Sequence, residues 1–554
     1  MENSIKKYSG FKLYLPVIMA LILVLGFLLG VHLNVRTHQA ENKFLRIGID
    51  RSNQLNNIID YILSSYVDSV DRQQLTEDAI HSLLRNLDPH SAFIPERDFR
   101  AMNDPLMGGF EGIGIEFNMI SDSVVVINPI AGGPSQKAGI MPGDRIVSVN
   151  GESISGANMP TGEVVSRLRG EKGTSIEVKV FRPGVINLLP FTLVRDRIPQ
   201  YSLDVAYMID NQTGYIRLNK FSVTTHPEFL QAMDRLKGEG MKRLVLDLRG
   251  NGGGFLEASI NLADEFLPQG KLMVYTDGLN RRRNDFVSRG GGSFETQPLV
   301  ILIDEWSASA SEIVAGAVQD HDRAVIVGRR SFGKGLVQEQ VQLADGSALR
   351  LTVARYYTPT GRSIQRPYHN GDEEYMQDFL ARMLETDTPI SDTVNLKDSQ
   401  RFETPGGRVV FGGGGITPDV IIPVESGEQF RFFNQAVNQG LINRFAFQYA
   451  DQNRSNLQQF ESPSEFVRRF NLTTAIYRDF LRFARIEGLE VPQRVNPVSE
   501  DLIRLNLKAL IGRNIFGMEA FFPVIHQKDN VFLKGLEILN SDRYNALLMP
   551  VQQP

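Results

Sequence analysis

The chain has 554 residues, 42% of them hydrophobic and 22% charged, with 59 Lys+Arg against 64 Asp+Glu and a net charge of −5. That length suits roughly three or four domains with cores of their own, and the composition excludes wholesale disorder and collagen-like repetition. The charge balance lacks the basic surface a nucleic-acid partner requires, the absence of cysteine removes disulfides and thiol catalysis, and a mean hydropathy of −0.17 leaves room for one membrane span.

Leu13 to Val35 carries no Lys, Arg, Asp or Glu. As a helix it measures about 34 Å, more than the roughly 30 Å of a bilayer's hydrocarbon core. Lys6, Lys7 and Lys12 precede it, favouring a cytoplasmic N-terminus, although Arg36, Lys43 and Arg46 follow. A cleaved signal peptide is the alternative, but Gly30, His32 and Asn34 make no clean small-x-small site. Residues 1–36 are therefore expected to be a stub and single-pass transmembrane anchor, with the rest outside the cytoplasmic membrane. Residues 37–107 read as helical. Leu55, Ile58, Ile59, Ile62, Leu63 and Tyr66 keep one helical period, and Leu75, Ala79, Leu83 and Leu84 begin another. Pro89 in Leu87-Asp88-Pro89-His90-Ser91 ends it. His90, alone beside a turn, reads as structural rather than as a catalytic base.

Over residues 108–197 short β-rich runs alternate with glycine. Gly112–Phe117, Val124–Ile127 and Ile176–Val180 read as strands, Asn150-Gly151 as a hairpin turn, and Val164, Val165 and Leu168 as one face of a short helix. The string Ala138-Gly139-Ile140-Met141-Pro142-Gly143-Asp144-Arg145-Ile146, followed by Val149-Asn150-Gly151, resembles a PDZ domain, a β-sandwich or barrel-like module. The resemblance implies that a peptide C-terminus adds as a strand, with its carboxylate held by backbone N–H groups of Phe110, Gly112, Ile113 and Gly114.

Three further signals follow. Arg243–Asp247 is an apolar strand running into Arg249-Gly250-Asn251-Gly252-Gly253-Gly254 and then a helix, which aims N–H groups at an anion, either a phosphate or a transient oxyanion. Leu299–Ile303, a buried-type strand, leads through Ser307-Ala308-Ser309-Ala310-Ser311-Glu312 into another helix. One serine there suits an N-cap; three separated by alanines exceed what capping needs and leave room for a substrate backbone. Gly328 to Lys334 matches GxxxxGK, but Gly335 replaces the Mg²⁺-binding hydroxyl and Leu336–Leu343 alternates like a strand, so a nucleotide-binding P-loop is excluded. Without cysteine, and without histidine in these motifs, a serine and a lysine remain for acyl transfer. Lys334 must then lose its proton through burial beside Phe332 and Val337, with the Gln338 amide holding the neutral amine.

SASASE followed by FGKGLVQ resembles the core of the carboxyl-terminal processing proteases, the tail-specific S41 serine peptidases. The resemblance implies Ser309 as nucleophile, Lys334 as general base and Gln338 as its orienting partner. It also implies an oxyanion hole from Ala310 and either Gly252 or Gly253, no cofactor or metal, and protein substrates with C-terminal tails. It spans roughly residues 50–365, including Tyr357–Gln365, and returns at Gly415-Ile416-Thr417-Pro418-Asp419. The expected architecture is multidomain α+β: anchor, helical region, PDZ module, a Clp-protease/crotonase-like α/β core over 198–425 and a helical extension over 426–554. An acidic insertion at about 366–414 interrupts the core. Phe466, Phe470, Phe480, Leu481, Phe483, Leu502, Leu505, Leu507, Leu510 and Ile511 suggest that the extension packs on the protease or on another protomer. A homo-oligomer or an adaptor partner is compatible with the chain, as is a bacterial inner-membrane location with a periplasmic catalytic part. The rival functions are an inactive membrane-tethered PDZ scaffold, opposed by the intact Ser309–Lys334–Gln338 set, and a metal-dependent hydrolase, for which no HExxH occurs.

Overall fold

The computed structural model describes residues 19–22, 24–26, 53–120, 122–130, 132–156, 158–368, 371–384 and 400–548. Most of the expected anchor lies outside the described residues; Met19–Ile22 and Val24–Gly26 are helical, and no helix of the described residues is long and apolar enough to cross a membrane. The chain divides into two compact units, Met1–Ala79 and Ile80–Pro554. In the first, the expected helix forms over Gln54–Ser65 and buries Ile59, while Leu55 and Ile58 stay exposed. The next helix, Arg72–Arg85, ends ahead of a turn in which Asp88 Oδ1 accepts the N–H groups of His90 and Ser91, each at 2.8 Å.

The PDZ module is an antiparallel sheet of Ile115–Ile120, Ser123–Pro129, Arg145–Val149, Ser175–Phe181 and Leu189–Val194, neighbours in space as in sequence. Period-two patterning sets its inner face: Ile176, Val178 and Val180 are buried between exposed neighbours. Val164 and Leu168 of the Thr161–Leu168 helix complete that core. Asp144 of the motif takes two bonds of 2.7 Å from Arg182, joining the start of one strand to the end of its neighbour. Ile115–Ile120 is an edge strand of this sheet, the geometry that strand addition requires. Gly109–Gly112 pairs with Asp196–Pro199, so a two-stranded ribbon closes the module where chain enters and leaves it.

The core sheet holds Leu203–Met208, Thr213–Leu218, Arg243–Asp247, Leu299–Ile303, Val325–Gly328 and Val420–Ile421 in that spatial order, parallel after the first pair. Parallel strands need cover on both faces. On one face, helices Thr225–Gly238, Leu256–Asp264 and Ala310–Asp320 bury Ile216, Leu244, Leu246, Ile301 and Ile326. On the other, Val245, Val300, Leu302, Val325 and Val327 lie under Phe522, Phe532, Ile538, Leu539 and Tyr544. The end of the C-terminal extension is therefore the second helical layer of the protease core rather than an appendage to it. Its earlier helices, from Arg431–Asn438 to Pro497–Phe516, form a core of their own around Phe445, Phe466, Phe480 and Leu507, and Phe447 packs on Val125 and Ile127 of the PDZ sheet.

A second sheet joins Ala92–Ile94, Ala348–Tyr357, Leu272–Gly278 and Arg281–Val287, with Leu336–Gln342 also paired to Ala348–Tyr357. The segment after Lys334 is thus a strand, as its alternation requires. The insertion contributes a helix, Asp372–Leu384, and a hairpin of Arg401–Glu403 with Val409–Phe411; residues 385–399 lie outside the described residues.

Candidate active site

Ser309 occupies the turn between the Leu299–Ile303 strand and the Ala310–Asp320 helix, at φ 55° and ψ −112°. A serine in that region is strained and persists only where its surroundings dictate it. Its neighbours do so. Ser307 Oγ donates to the Leu248 carbonyl at 2.9 Å and accepts Asp304 N–H at 3.0 Å. The Asn251 carbonyl accepts both Ala308 N–H at 3.0 Å and Ser311 Oγ at 2.9 Å. The two outer serines are buried and committed to the fold, whereas Ser309 is half-exposed. Ser309 is also the N-cap residue with Glu312 at N3, so the capping reading of this serine holds.

The glycine loop abuts this turn. A Cβ on Gly253 would stand 2.7 Å from the Ala308 carbonyl and 2.8 Å from Ser309 Cβ, at φ +96°, so only glycine fits. Gly253 N–H donates to Asn251 Oδ1 at 2.9 Å, whereas a Cβ on Gly252 would meet nothing within 4 Å. Of the two glycines, Gly252 therefore has space around it and Gly253 has a committed N–H. The loop is pinned from outside as well: Gly250 N–H donates to Asp304, and Arg249 bridges buried Asp247 and Asp529 of the C-terminal layer.

Lys334 Nζ donates to Gln338 Oε1 at 2.9 Å, and Gln338 Nε2 donates to the His90 carbonyl. Burial lowers the Lys334 pKa and the Arg350 charge adds to this, while Asp88 and Glu312 oppose it. Glu312, completely buried, joins lysine and serine. Its Oε2 accepts Ser309 N–H at 2.8 Å and Lys334 N–H at 2.9 Å, and its Oε1 accepts Ser331 Oγ and Gly333 N–H. Burial raises the Glu312 pKa against the pull of these donors. Tyr356 Oη repeats the link by donating to the carbonyls of Ser309 at 3.1 Å and Lys334 at 2.6 Å. The Gly333 and Lys334 amides, which a P-loop would offer to phosphate, are thus taken by a protein carboxylate.

Ser309, Lys334, Gln338, Gly252, Gly253 and Ala310 are brought to one site. Phe110, Gly112, Ile113 and Gly114 form a separate feature on the PDZ module. Phe110 and Gly112 belong to the ribbon, and the Phe110 ring lies 4.5 Å from the Arg169 guanidinium. Ile113 and Gly114 spend their carbonyls on Ser135 and Ile130 N–H. Sequence reasoning gave Glu312, Tyr356 and Asn251 no role. The Ser-x-x-Glu spacing signals Glu312 as a capping-box partner; Tyr356 and Asn251 carry no such signal. Among the described residues no group of three or more His, Asp or Glu is arranged to hold a metal.

This arrangement sets a serine and a lysine side by side on a mixed α/β core that carries a PDZ-like module. Residues 212–374 match the model of peptidase family S41, residues 125–182 that of the PDZ domain, and residues 432–517 that of a family of unknown function. A carboxy-terminal-processing protease of Bartonella bacilliformis is 38% identical over 358 residues, covering 62% of this chain and 80% of the relative. The Bacillus subtilis protease CtpA is 34% identical, covering 58% and 68%. The solved photosystem II D1 C-terminal processing protease is 33% identical, covering 56% and 84%, with a TM-score of 0.34. The chain belongs to peptidase family S41 and is a carboxy-terminal processing serine peptidase, a hydrolase.

Proposed function

We propose that the protein is a membrane-anchored endopeptidase that selects unfolded substrates by their C-terminal tails and cleaves them with a Ser309–Lys334 dyad. One observation carries the reading: Glu312 Oε2 and Tyr356 Oη each bond the backbones of both Ser309 and Lys334, which ties a strained serine to a half-buried lysine. Neutral Lys334 takes the Ser309 proton as Oγ attacks the scissile carbonyl. The N–H groups of Gly252 and Ala310 hold the oxyanion, supported by the positive end of the Ala310–Asp320 helix. Lys334 then protonates the leaving amine and, neutral again, activates the water that hydrolyses the acyl-enzyme. Gln338 keeps the amine in line through both protonation states, because its carbonyl accepts from either. The PDZ edge strand Ile115–Ile120 takes the tail, with the Phe110–Gly114 amides at its carboxylate. The apolar run Leu13–Val35 anchors the chain in the bacterial inner membrane with the catalytic part outside the cytoplasm.

The test offers an unfolded protein with an apolar C-terminus to the purified enzyme and to Ser309→Ala and Lys334→Ala. Wild type cleaves and both variants are silent, with tail binding retained by each. Cleavage by either variant at the wild-type rate rejects the dyad.

A further inference from the structure

The S41 match ends at residue 374, in the first turn of the Asp372–Leu384 helix, so most of that helix belongs to this chain's own insertion. Tyr375 and Phe379, four residues apart, share its buried face. The Tyr375 ring meets His90 edge-on at 5.5 Å and Phe332 at 6.2 Å; Phe379 meets Phe332 at 5.0 Å and Trp306 at 5.1 Å. Buried Arg366 sets its guanidinium over Phe332, Tyr375 and Phe379 at 4.5, 3.9 and 5.2 Å, and its backbone N–H donates to the Gly333 carbonyl. Trp306 lies three residues before Ser309, and Phe332 two before Lys334. One inserted helix thus touches both loops that carry the chemistry.

A polar path runs through the same contacts. Lys334 Nζ bonds Gln338, Gln338 bonds the His90 carbonyl, and His90 Nε2 shares a 3.1 Å hydrogen bond with Tyr375 Oη. Gln338 can orient a four-carbon lysine only if its own far end is fixed, and that end hangs on the turn whose side-chain handle is His90. We propose that Tyr375 is a positioning residue of the hydrolytic site, acting through His90 and Gln338 on the Lys334 amine. This rests on Lys334 being the general base. Simple packing of the insertion would explain the ring contacts, but not a hydrogen-bonded path that ends at the amine. Burial, reinforced by Lys334, pushes His90 down to about 4, so the imidazole is neutral where the enzyme works and adds no competing charge. The other charged or titratable groups around the amine are Arg350 and Tyr356 from the Ala348–Tyr357 strand, Asp88 from the turn, Glu312 from the nucleophile's helix, and Arg366 beside Tyr375.

Tyr375→Phe and Tyr375→Ala in the full chain test this, read as kcat, KM and the pH profile of kcat/KM. Tyr375→Phe keeps the ring and loses only the hydroxyl; kcat falls about three- to ten-fold with KM unchanged. Tyr375→Ala also admits water, and the acidic limb of the profile moves up toward the ordinary lysine value of 10.5. Leu380→Ala, on the exposed face of the same helix, behaves as wild type. Wild-type kcat in Tyr375→Phe overturns the proposal, as does an unmoved acidic limb in Tyr375→Ala. If Tyr375→Ala does not fold, Tyr375→Phe alone decides. Silent Ser309→Ala and Lys334→Ala controls confine such a failure to this proposal; active controls reject the dyad itself.

Discussion

Gly253→Ala against Gly252→Ala separates two neighbouring glycines that sequence reasoning treats alike. At 253 the new methyl lies 2.7 Å from the Ala308 carbonyl, 2.8 Å from Ser309 Cβ and 3.0 Å from Ala310 N. Carbon contacts are comfortable at about 3.5–4.0 Å, so something must retreat by close to an ångström. The φ of +96° adds backbone strain that an L side chain meets and glycine does not. Overpacking and backbone strain together cost about 2–5 kcal/mol. The partner most easily displaced is Ser309, already strained. An ångström of misplacement at a nucleophile costs about 100-fold in rate. Gly252→Ala meets no neighbour and keeps its N–H, so the fold survives unchanged. Thermal unfolding of both variants, with single-turnover acylation by a serine-directed reagent, makes the measurement. Gly253→Ala is expected to melt earlier and acylate about two orders of magnitude more slowly. Wild-type melting and acylation in Gly253→Ala would refute the close approach of the loop to the nucleophile.

Glu312→Gln leaves one carbonyl oxygen where a carboxylate accepted four donors, so two bonds to a charged acceptor are lost at about 1.5–3 kcal/mol each, partly offset by easier burial of a neutral amide. Lower denaturant resistance and a fall in kcat at unchanged tail affinity check it. Asp529→Ala breaks two contacts with Arg249, of 2.8 and 3.0 Å, and the cap on Phe532 N–H, costing about 2–4 kcal/mol. Asp529→Asn, which keeps the cap, is expected to cost about half as much by the same measurement. His526, pushed down to about 4 by burial, binds fewer protons folded than unfolded between that value and 6.5, so acidification destabilises the fold. From pH 7.5 to 5 the loss is about 2 kcal/mol, and His526→Phe flattens that part of the stability curve.

The chemistry is carried by short contiguous strings, and these were readable. A strand running into a glycine loop, Ser-Ala-Ser-Ala-Ser before a helix and Lys334 four residues before Gln338 each depend on local geometry that residue type dictates. The resemblance pointed to the middle serine, but local pattern alone did not say which serine is free, because Ser307 and Ser311 are consumed by Leu248 and Asn251, some 60 residues earlier in the chain. The difference between the Gly252 and Gly253 amides likewise turns on one Asn251 side chain. The C-terminal layer was half visible. Leu299–Ile303 and Val325–Val327 have no polar face, so a second cover was required, and the helices after residue 426 were the elements left to supply it. Nothing in a single sequence says which of them would turn toward the sheet.

The proposed catalytic groups come from residues 252–338, yet their rigidity is imported. Asp529 at the start of the Asn530–Leu539 helix holds Arg249 at the head of the glycine loop. The His90 carbonyl, 248 residues before its partner, holds Gln338, and the insertion grips both loops through Trp306 and Phe332. A desolvated lysine and a strained serine are each unfavourable states for an isolated loop. They are tenable here because three segments outside the motif leave those loops no lower-energy arrangement. Substitutions at Asp529 and Tyr375 should then act on rate through different partners, Arg249 and His90. Their effects on kcat should multiply, which holds only if the two supports are independent.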